Sequence, residues 1–145
     1  MPHDPSITGI AHVIQLAVAP VFLLSGIGAM LAVMTNRLAR VVDRARSLES
    51  RLHGDPPDSN VIHVELHTLS RRAKLVGRSI TLCTITALLV CAVIAVLFLG
   101  AFLDFDASIS VALLFIAAMG AFFIGLLFFL REILLATASL RIGPH

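Results

Sequence analysis

The sequence contains neither tryptophan nor tyrosine, and only 14% of its 145 residues are charged. Without these two aromatics, the chain lacks the belt that anchors many membrane proteins at the headgroups. Its two cysteines, Cys83 and Cys91, are separated by about 12 Å along a helix, which is beyond the reach of a disulfide. The scarcity of charge, with a mean hydropathy of +0.97, excludes an ordinary soluble domain.

Three apolar runs, residues 10–34, 82–103 and 109–130, contain no Asp, Glu, Lys or Arg. Each run is long enough, as a helix, to cross the hydrocarbon core of a bilayer. The link between the second and third runs, residues 104–108, is short enough to make these two spans an antiparallel pair. The sequence therefore predicts an all-α integral membrane protein with three transmembrane helices.

Basic residues are distributed very unevenly along the chain. Nine of the eleven Lys and Arg residues lie between the first two spans, and the other two follow the third. Because loops rich in Lys and Arg remain in the cytoplasm, this pattern predicts external positions for residues 1–9 and 104–108. Residues 35–81 and an amphipathic tail, residues 131–145, are then cytoplasmic.

The segment between the first two spans carries apolar residues at alternating spacings of three and four, which is the pattern of packed helices. The break "HGDPPDSN" separates two such series. They are Leu38, Val41, Ala45, Leu48 and Leu52, then Ile62, Leu66, Leu69, Ala73, Val76 and Ile80. The pattern predicts that residues 35–81 form a cytoplasmic antiparallel helical hairpin, whose arms extend the first and second spans.

The stretches "APVFLLSGIGAM" and "NRLARVVDR", with "RRAKLVGRSITLCTITALLVC" and "FLREILLATASLRIG" further along, resemble a bacterial family catalogued as Domain of Unknown Function 2721. The resemblance covers about residues 7–143. It implies a small bacterial membrane protein with three spans, and the location that we predict for the chain is the cytoplasmic (inner) membrane. It implies no catalytic residues.

His12 and Gln15 are the strongly polar side chains of the first span, and they share one helix face. Because polar groups in a membrane need a partner or a water-filled cavity, they are candidates for lining a pore, or for a hydrogen bond between helices. Small residues at helical spacing let helices approach closely, which favours self-association of the chain. These packing candidates are Ser25, Gly28, Ala29, Ala117, Ala121 and Gly125.

The basic residues around the hairpin have two compatible interpretations, a solvated face that sets the topology and a contact surface for anionic lipid or a protein partner. The candidates for contact are Arg37, Arg40, Arg44, Arg71, Arg72, Lys74 and Arg78. Nucleic acid is not an expected partner, because acidic residues alternate with the basic residues of this segment and aromatic side chains are missing from it. His63 and His67 have a metal-chelating spacing but form only a weak candidate, so no metal and no cofactor are predicted.

No nucleophile and base pattern is present, and the chain is not expected to be an enzyme. The leading hypothesis is a homo-oligomeric assembly in the lipid bilayer that conducts an ion or small solute. The alternative is a membrane-anchored interaction or scaffold protein, whose basic hairpin binds a protein partner or anionic lipid.

Overall fold

The computed structural model describes residues 5–54 and 57–142, which form three long helices and two short connections. The helices are α1 (Pro5–Leu52), α2 (Ser59–Leu103) and α3 (Ser108–Ile142). All three are long and apolar enough to cross a membrane, which confirms the predicted class of fold. The last residues of the predicted tail, 143–145, lie outside the described residues.

Each helix is longer than its apolar run, because no helix-breaking sequence separates the run from the amphipathic segment beside it. The 48 residues of α1 and the 45 of α2 contain the first two spans and the two arms of the hairpin. At 1.5 Å per residue these helices extend roughly 70 Å, whereas the hydrocarbon core of a bilayer is about 30 Å thick. Each of these helices is therefore more than twice as long as the hydrocarbon core is thick.

The chain divides into two compact units, the first made of residues 1–30 and 82–123. Its interior is apolar, with Ile27, Val90 and Ala118 nearly inaccessible. The buried hydroxyl of Thr86 donates to the carbonyl of Leu82 at 2.8 Å, so it needs no partner on another helix. Large apolar side chains also point outward, Phe102 with 87% exposure, as expected where the solvent is lipid.

The connection from α2 to α3 is a tight C-terminal cap. Asp104 adopts the left-handed conformation, with φ 59°, directly after the last residue of α2. The amide of Phe105 then donates to the carbonyl of Gly100 at 3.2 Å, which is the bond that defines a Schellman motif. A Cβ on Gly100 would lie 3.0 Å from the Cβ of Ala107, which is closer than ordinary van der Waals contact, so a larger residue there would push against the returning chain.

Asp106 caps the start of α3. Its Oδ1 accepts a hydrogen bond from the backbone amide of Ser108 at 3.1 Å and another from the Ser108 hydroxyl. These two bonds favour the ionised carboxylate and lower the pKa of Asp106, the hydroxyl bond more than the amide bond. The short turn thus satisfies one of the free amides at the beginning of the helix.

The second unit contains residues 31–81 and 124–145. Its core is formed by both predicted seams, with Val41 and Leu48 of α1 against Ile62 and Leu69 of α2. The smaller or partly exposed seam residues pack around them: Ala45, Leu52, Leu66 and Ala73. The hairpin predicted from spacing is therefore present as packed helices. α3 contributes the buried side chains of Phe129 and Glu132 to this unit.

Candidate functional site

Three arginines of α1 form a ridge on one face of the helix in the second unit. Arg37, Arg40 and Arg44 follow one another at spacings of three and four residues, so each lies one turn from the next. They surround a cavity of about 300 Å³, which we call the arginine pocket. Its remaining lining comes from all three helices: Val41 of α1, Leu69 and Arg72 of α2, and Ala136 of α3.

A carboxylate from α3 joins two of these arginines. Glu132 Oε2 accepts a hydrogen bond from Arg37 Nε at 2.9 Å and forms an ion pair with Arg37 Nη2 at 2.7 Å. Its Oε1 accepts a hydrogen bond from Arg72 Nε at 3.0 Å and forms an ion pair with Arg72 Nη2 at 3.0 Å. Each guanidinium thus makes one hydrogen bond and one ion-pair contact with a carboxylate oxygen. We call Arg37, Arg72 and Glu132 the Glu132 triad.

The members of the Glu132 triad differ in their access to solvent. The Glu132 side chain is 0% exposed, whereas those of Arg37 and Arg72 are 32% and 21% exposed. The guanidinium of Arg37 also lies 5.7 Å from the centre of the Phe129 ring, which adds a cation–π contact. Burial of a carboxylate is tolerated here because two cations and two hydrogen bonds compensate for its lost hydration.

The other two arginines of the pocket are more exposed. Arg44 donates from Nε and Nη2 to Glu65 Oε1 at 3.2 and 3.0 Å, and an exposed pair of this kind contributes little to stability. Within residues 5–54 and 57–142, no carboxylate pairs with Arg40. Four guanidinium groups therefore face two carboxylates, and the pocket carries excess positive charge.

The arrangement suits an anion that accepts several hydrogen bonds. A guanidinium has five N–H donors on three nitrogens, and Arg37 and Arg72 each place only two of these nitrogens, Nε and Nη2, within 3.0 Å of the carboxylate. Planar guanidinium groups match phosphate and carboxylate oxygens in pairs, which makes arginine clusters typical phosphate sites. The chemistry that the pocket can perform is reversible binding of an anionic group.

The remaining basic candidates lie elsewhere. Arg71, Lys74 and Arg78 are exposed on α2 and do not line the arginine pocket. His63 and His67 are also exposed. The described residues contain no group of three or more His, Cys, Asp or Glu side chains able to hold a metal ion.

The polar candidates of the first span lie in the first unit. His12 and Gln15 are both exposed on α1. His12 lines an open groove of about 760 Å³, with Asp106 and Ser108 at its polar end and apolar residues such as Val93 along its length. Exposure of both side chains does not distinguish a pore lining from a surface without a partner. The pore role therefore stays a prediction.

The small residues do not form one common contact. Ser25, Gly28 and Ala29 are exposed, and a Cβ on Gly28 would meet no atom within 4 Å. On α3, Ala117 is exposed and Ala121 is half-buried, whereas Gly125 is buried. The face around Gly28 is thus open in the isolated chain, and its use in self-association stays a prediction.

Glu132 is the site residue that sequence reasoning missed. In sequence it stands beside Arg131, with which it cannot pair well because adjacent residues diverge on a helix. Its actual partners are 95 and 60 positions away. The one available signal is that Glu132 is a lone acid at the end of an uncharged span, where an unpaired carboxylate is costly.

Comparison with known families agrees with this architecture. Residues 17–142 match the family described as "Protein of unknown function (DUF2721)". The chain belongs to this family. No curated protein and no solved structure gives a significant match to this DUF2721 chain. The resemblance noted from the sequence is thereby confirmed, and the family assigns no activity to the arginine pocket.

Proposed function

We propose that this DUF2721 chain is a membrane-anchored binding protein whose arginine pocket holds the phosphate of an anionic lipid headgroup. The observation that carries the proposal is the convergence of four guanidinium groups on one cavity that two carboxylates only partly neutralise. The role is binding without catalysis, since the pocket presents cations and apolar groups but no nucleophile.

A lipid headgroup is favoured over a soluble anion by the position of the pocket along the helices. Arg37 is the first charged residue after the apolar run 10–34, and Glu132 follows closely on the run 109–130. These positions are at the end of the hydrocarbon, where lipid phosphates lie. Basic pockets beside transmembrane helices are typical headgroup sites.

The side of the membrane follows from the charge distribution. Nine of eleven basic residues lie between the first two spans, which supports a cytoplasmic hairpin and an external α2–α3 turn. With this orientation in a bacterial cytoplasmic membrane, the N-terminus is outside and the pocket faces the anionic inner leaflet. Labelling of single cysteines from outside intact cells tests it: a probe at Ala107 should react and one at Ser47 should not.

Lipid binding is tested by native mass spectrometry of the purified chain with phosphatidylglycerol and with phosphatidylcholine of equal chain length. The test variant is Arg40→Gln/Arg44→Gln, which removes two pocket arginines and leaves the Glu132 triad intact. The control, Arg71→Gln/Arg78→Gln, removes the same charge outside the pocket. Hydrogen bonds to a charged group contribute about 1.5–3 kcal/mol each, so the test variant should lose at least tenfold in phosphatidylglycerol affinity.

Four results would contradict the proposal. If the test and control variants lose the same phosphatidylglycerol affinity, binding is due to diffuse positive charge and not to the pocket. If the chain binds phosphatidylglycerol and phosphatidylcholine equally, the ligand is not an anionic headgroup. Inorganic phosphate forms a further arm of the experiment. If it occupies the pocket as tightly as phosphatidylglycerol does, the ligand is a free anion. If the hairpin retains a protein and no lipid, the pocket belongs to a protein interface.

A second candidate is a homo-oligomeric assembly that conducts an ion or small solute. The open face around Gly28 and the exposure of His12 and Gln15 favour it. A Gly28→Leu variant should then have a smaller native mass than the wild type. Flux into liposomes should fall in a His12→Ala/Gln15→Leu variant, and the absence of flux from wild-type liposomes under any gradient would exclude conduction.

A further inference from the structure

We propose that Glu132 is an internal competitor of the anion, occupying the Arg37 and Arg72 half of the arginine pocket until a ligand takes its place. This inference rests on the proposed function and adds regulation to the same site. The competition lowers the affinity of the pocket for an anion below that of the same four arginines without the carboxylate. It also makes anion binding and the anchoring of α3 mutually opposed.

The geometry of the Glu132 triad resembles a filled anion site. One negatively charged group accepts a hydrogen bond from the Nε of each of two guanidinium groups and has the Nη2 of each within 3.0 Å, and it is fully excluded from solvent. A lipid phosphodiester carries the same single charge and the same kind of acceptor oxygens. The carboxylate and the phosphate therefore compete for the same N–H donors. Each interacts less favourably with the arginines when the other is present.

The charge of Glu132 also acts on the rest of the pocket. Its carboxylate is held by Arg37 and Arg72, which line the cavity together with Arg40 and Arg44. Because the Glu132 carboxylate contacts arginines that line the cavity, its negative charge repels a phosphate bound there, and the partly buried surroundings screen this repulsion less than water would. Glutamine has nearly the same shape and no charge, so it removes the repulsion while keeping the packing. A Glu132→Gln chain should bind an anionic headgroup about tenfold more tightly.

Competition couples the pocket to α3. Ala136, one turn beyond Glu132, lines the cavity, so the ligand lies against the same stretch of α3. When the arginines turn toward a phosphate, Glu132 loses the partners that make its burial tolerable. The stretch of α3 around it should then open more often. Binding of an anion to the wild type should thus increase backbone exchange in residues 131–138, whereas a ligand usually protects the segment it contacts.

The test measures phosphatidylglycerol affinity by native mass spectrometry for the wild type, Glu132→Gln and a matched control, Glu65→Gln. Glu65 also accepts two N–H bonds from a pocket arginine, but its side chain is 40% exposed. Its charge is therefore screened, and its loss should change affinity by less than about threefold. The expected order is Glu132→Gln tightest by about tenfold, then Glu65→Gln, then wild type.

The outcomes separate this inference from the proposed function. If the wild type binds and Glu132→Gln binds equally or more weakly, Glu132 is no competitor and the lipid site stands. If neither binds phosphatidylglycerol in preference to phosphatidylcholine, the proposed function fails and the inference with it. If Glu132→Gln does not fold, hydrogen exchange of the wild type decides: unchanged or slower exchange at residues 131–138 on adding phosphatidylglycerol overturns the competition.

Discussion

Replacing Arg37 and Arg72 together by methionine should destabilise the second unit far more than replacing Glu132 by glutamine. The reason is the unequal access of the Glu132 triad to solvent. The two arginines keep 32% and 21% of their side-chain surface exposed, whereas Glu132 keeps none. Without Glu132 the guanidinium groups can rotate toward water or headgroups, but without the arginines the carboxylate stays buried and unpaired.

The magnitudes follow from this asymmetry. Breaking a buried ion pair so that one charge is left uncompensated costs about 3–5 kcal/mol, and Arg37→Met/Arg72→Met should fall in that range. Glu132→Gln leaves charges that rehydrate, and we expect a loss of about 1–2 kcal/mol. A triple variant, Arg37→Met/Arg72→Met/Glu132→Leu, leaves no charge at all. It should be closer to the wild type than the double variant, because apolar groups of similar volume replace the whole cluster.

Hydrogen exchange followed by mass spectrometry is the suitable assay, because the chain has no tryptophan or tyrosine to report on unfolding by fluorescence. Protected amides of the buried hairpin seam, at Leu48 and Leu69, report the opening free energy of the second unit. Each tenfold acceleration of exchange corresponds to about 1.4 kcal/mol of lost stability. Amides of the first unit, at Val90 for example, serve as an internal control.

Two results would refute the reasoning. One is a Glu132→Gln variant at least as unstable as the double arginine variant, which would mean that the stranded cations cost more than the stranded carboxylate. The other is a triple variant less stable than the double variant, which would mean that the contributions add instead of compensating. Either result would show that burial of Glu132 does not control the energetics of the cluster.

Three further predictions concern single positions. Leu48→Ala should cost about 2–5 kcal/mol by opening a cavity in the hairpin seam, whereas Val64→Ala, at 68% exposure, should cost under about 0.5 kcal/mol, as measured by seam exchange rates. Gly100→Ala should increase amide exchange in the α2–α3 turn, because the added Cβ would lie 3.0 Å from the Cβ of Ala107. Gly28→Ala meets no atom within 4 Å and should slow exchange of the surrounding helix amides, since alanine stabilises a helix by up to about 1 kcal/mol relative to glycine. Because the pKa of Asp106 is lowered in the folded chain, its carboxylate stabilises the turn fully at neutral pH, and this stabilisation is lost as the pH falls through the lowered pKa. Asp106→Asn should abolish this pH dependence of amide exchange in the turn.

Local pattern was sufficient for the helices and for the hairpin core. The residues Val41, Leu48, Ile62 and Leu69 are buried together, and each was identifiable from spacings of three and four. The uncharged runs likewise predicted three helices able to span a membrane. Both features depend on residues within a few turns of one another, and helical periodicity makes such relations readable.

The same pattern could not decide which small faces are covered. Gly28 and Gly125 both belong to series of small residues at helical spacing, yet Gly28 is exposed and Gly125 is buried. Spacing fixes that such residues share a face, but not where the other helices lie around that face. The left-handed Asp104 was equally unreadable, since its conformation follows from the close return of the chain over Gly100.

The sequence by itself determined that this chain has three apolar helices and a basic hairpin, because composition and periodicity are properties of contiguous segments. Its match over residues 17–142 likewise identified the DUF2721 family from the sequence alone. Only the tertiary structure decided that Glu132 lies between Arg37 and Arg72 and that four arginines surround one pocket. Those contacts join residues 60 and 95 positions apart on three different helices. The physical reason is that ion pairing depends on distance in space, and the packing of the helices, which no local spacing encodes, sets that distance.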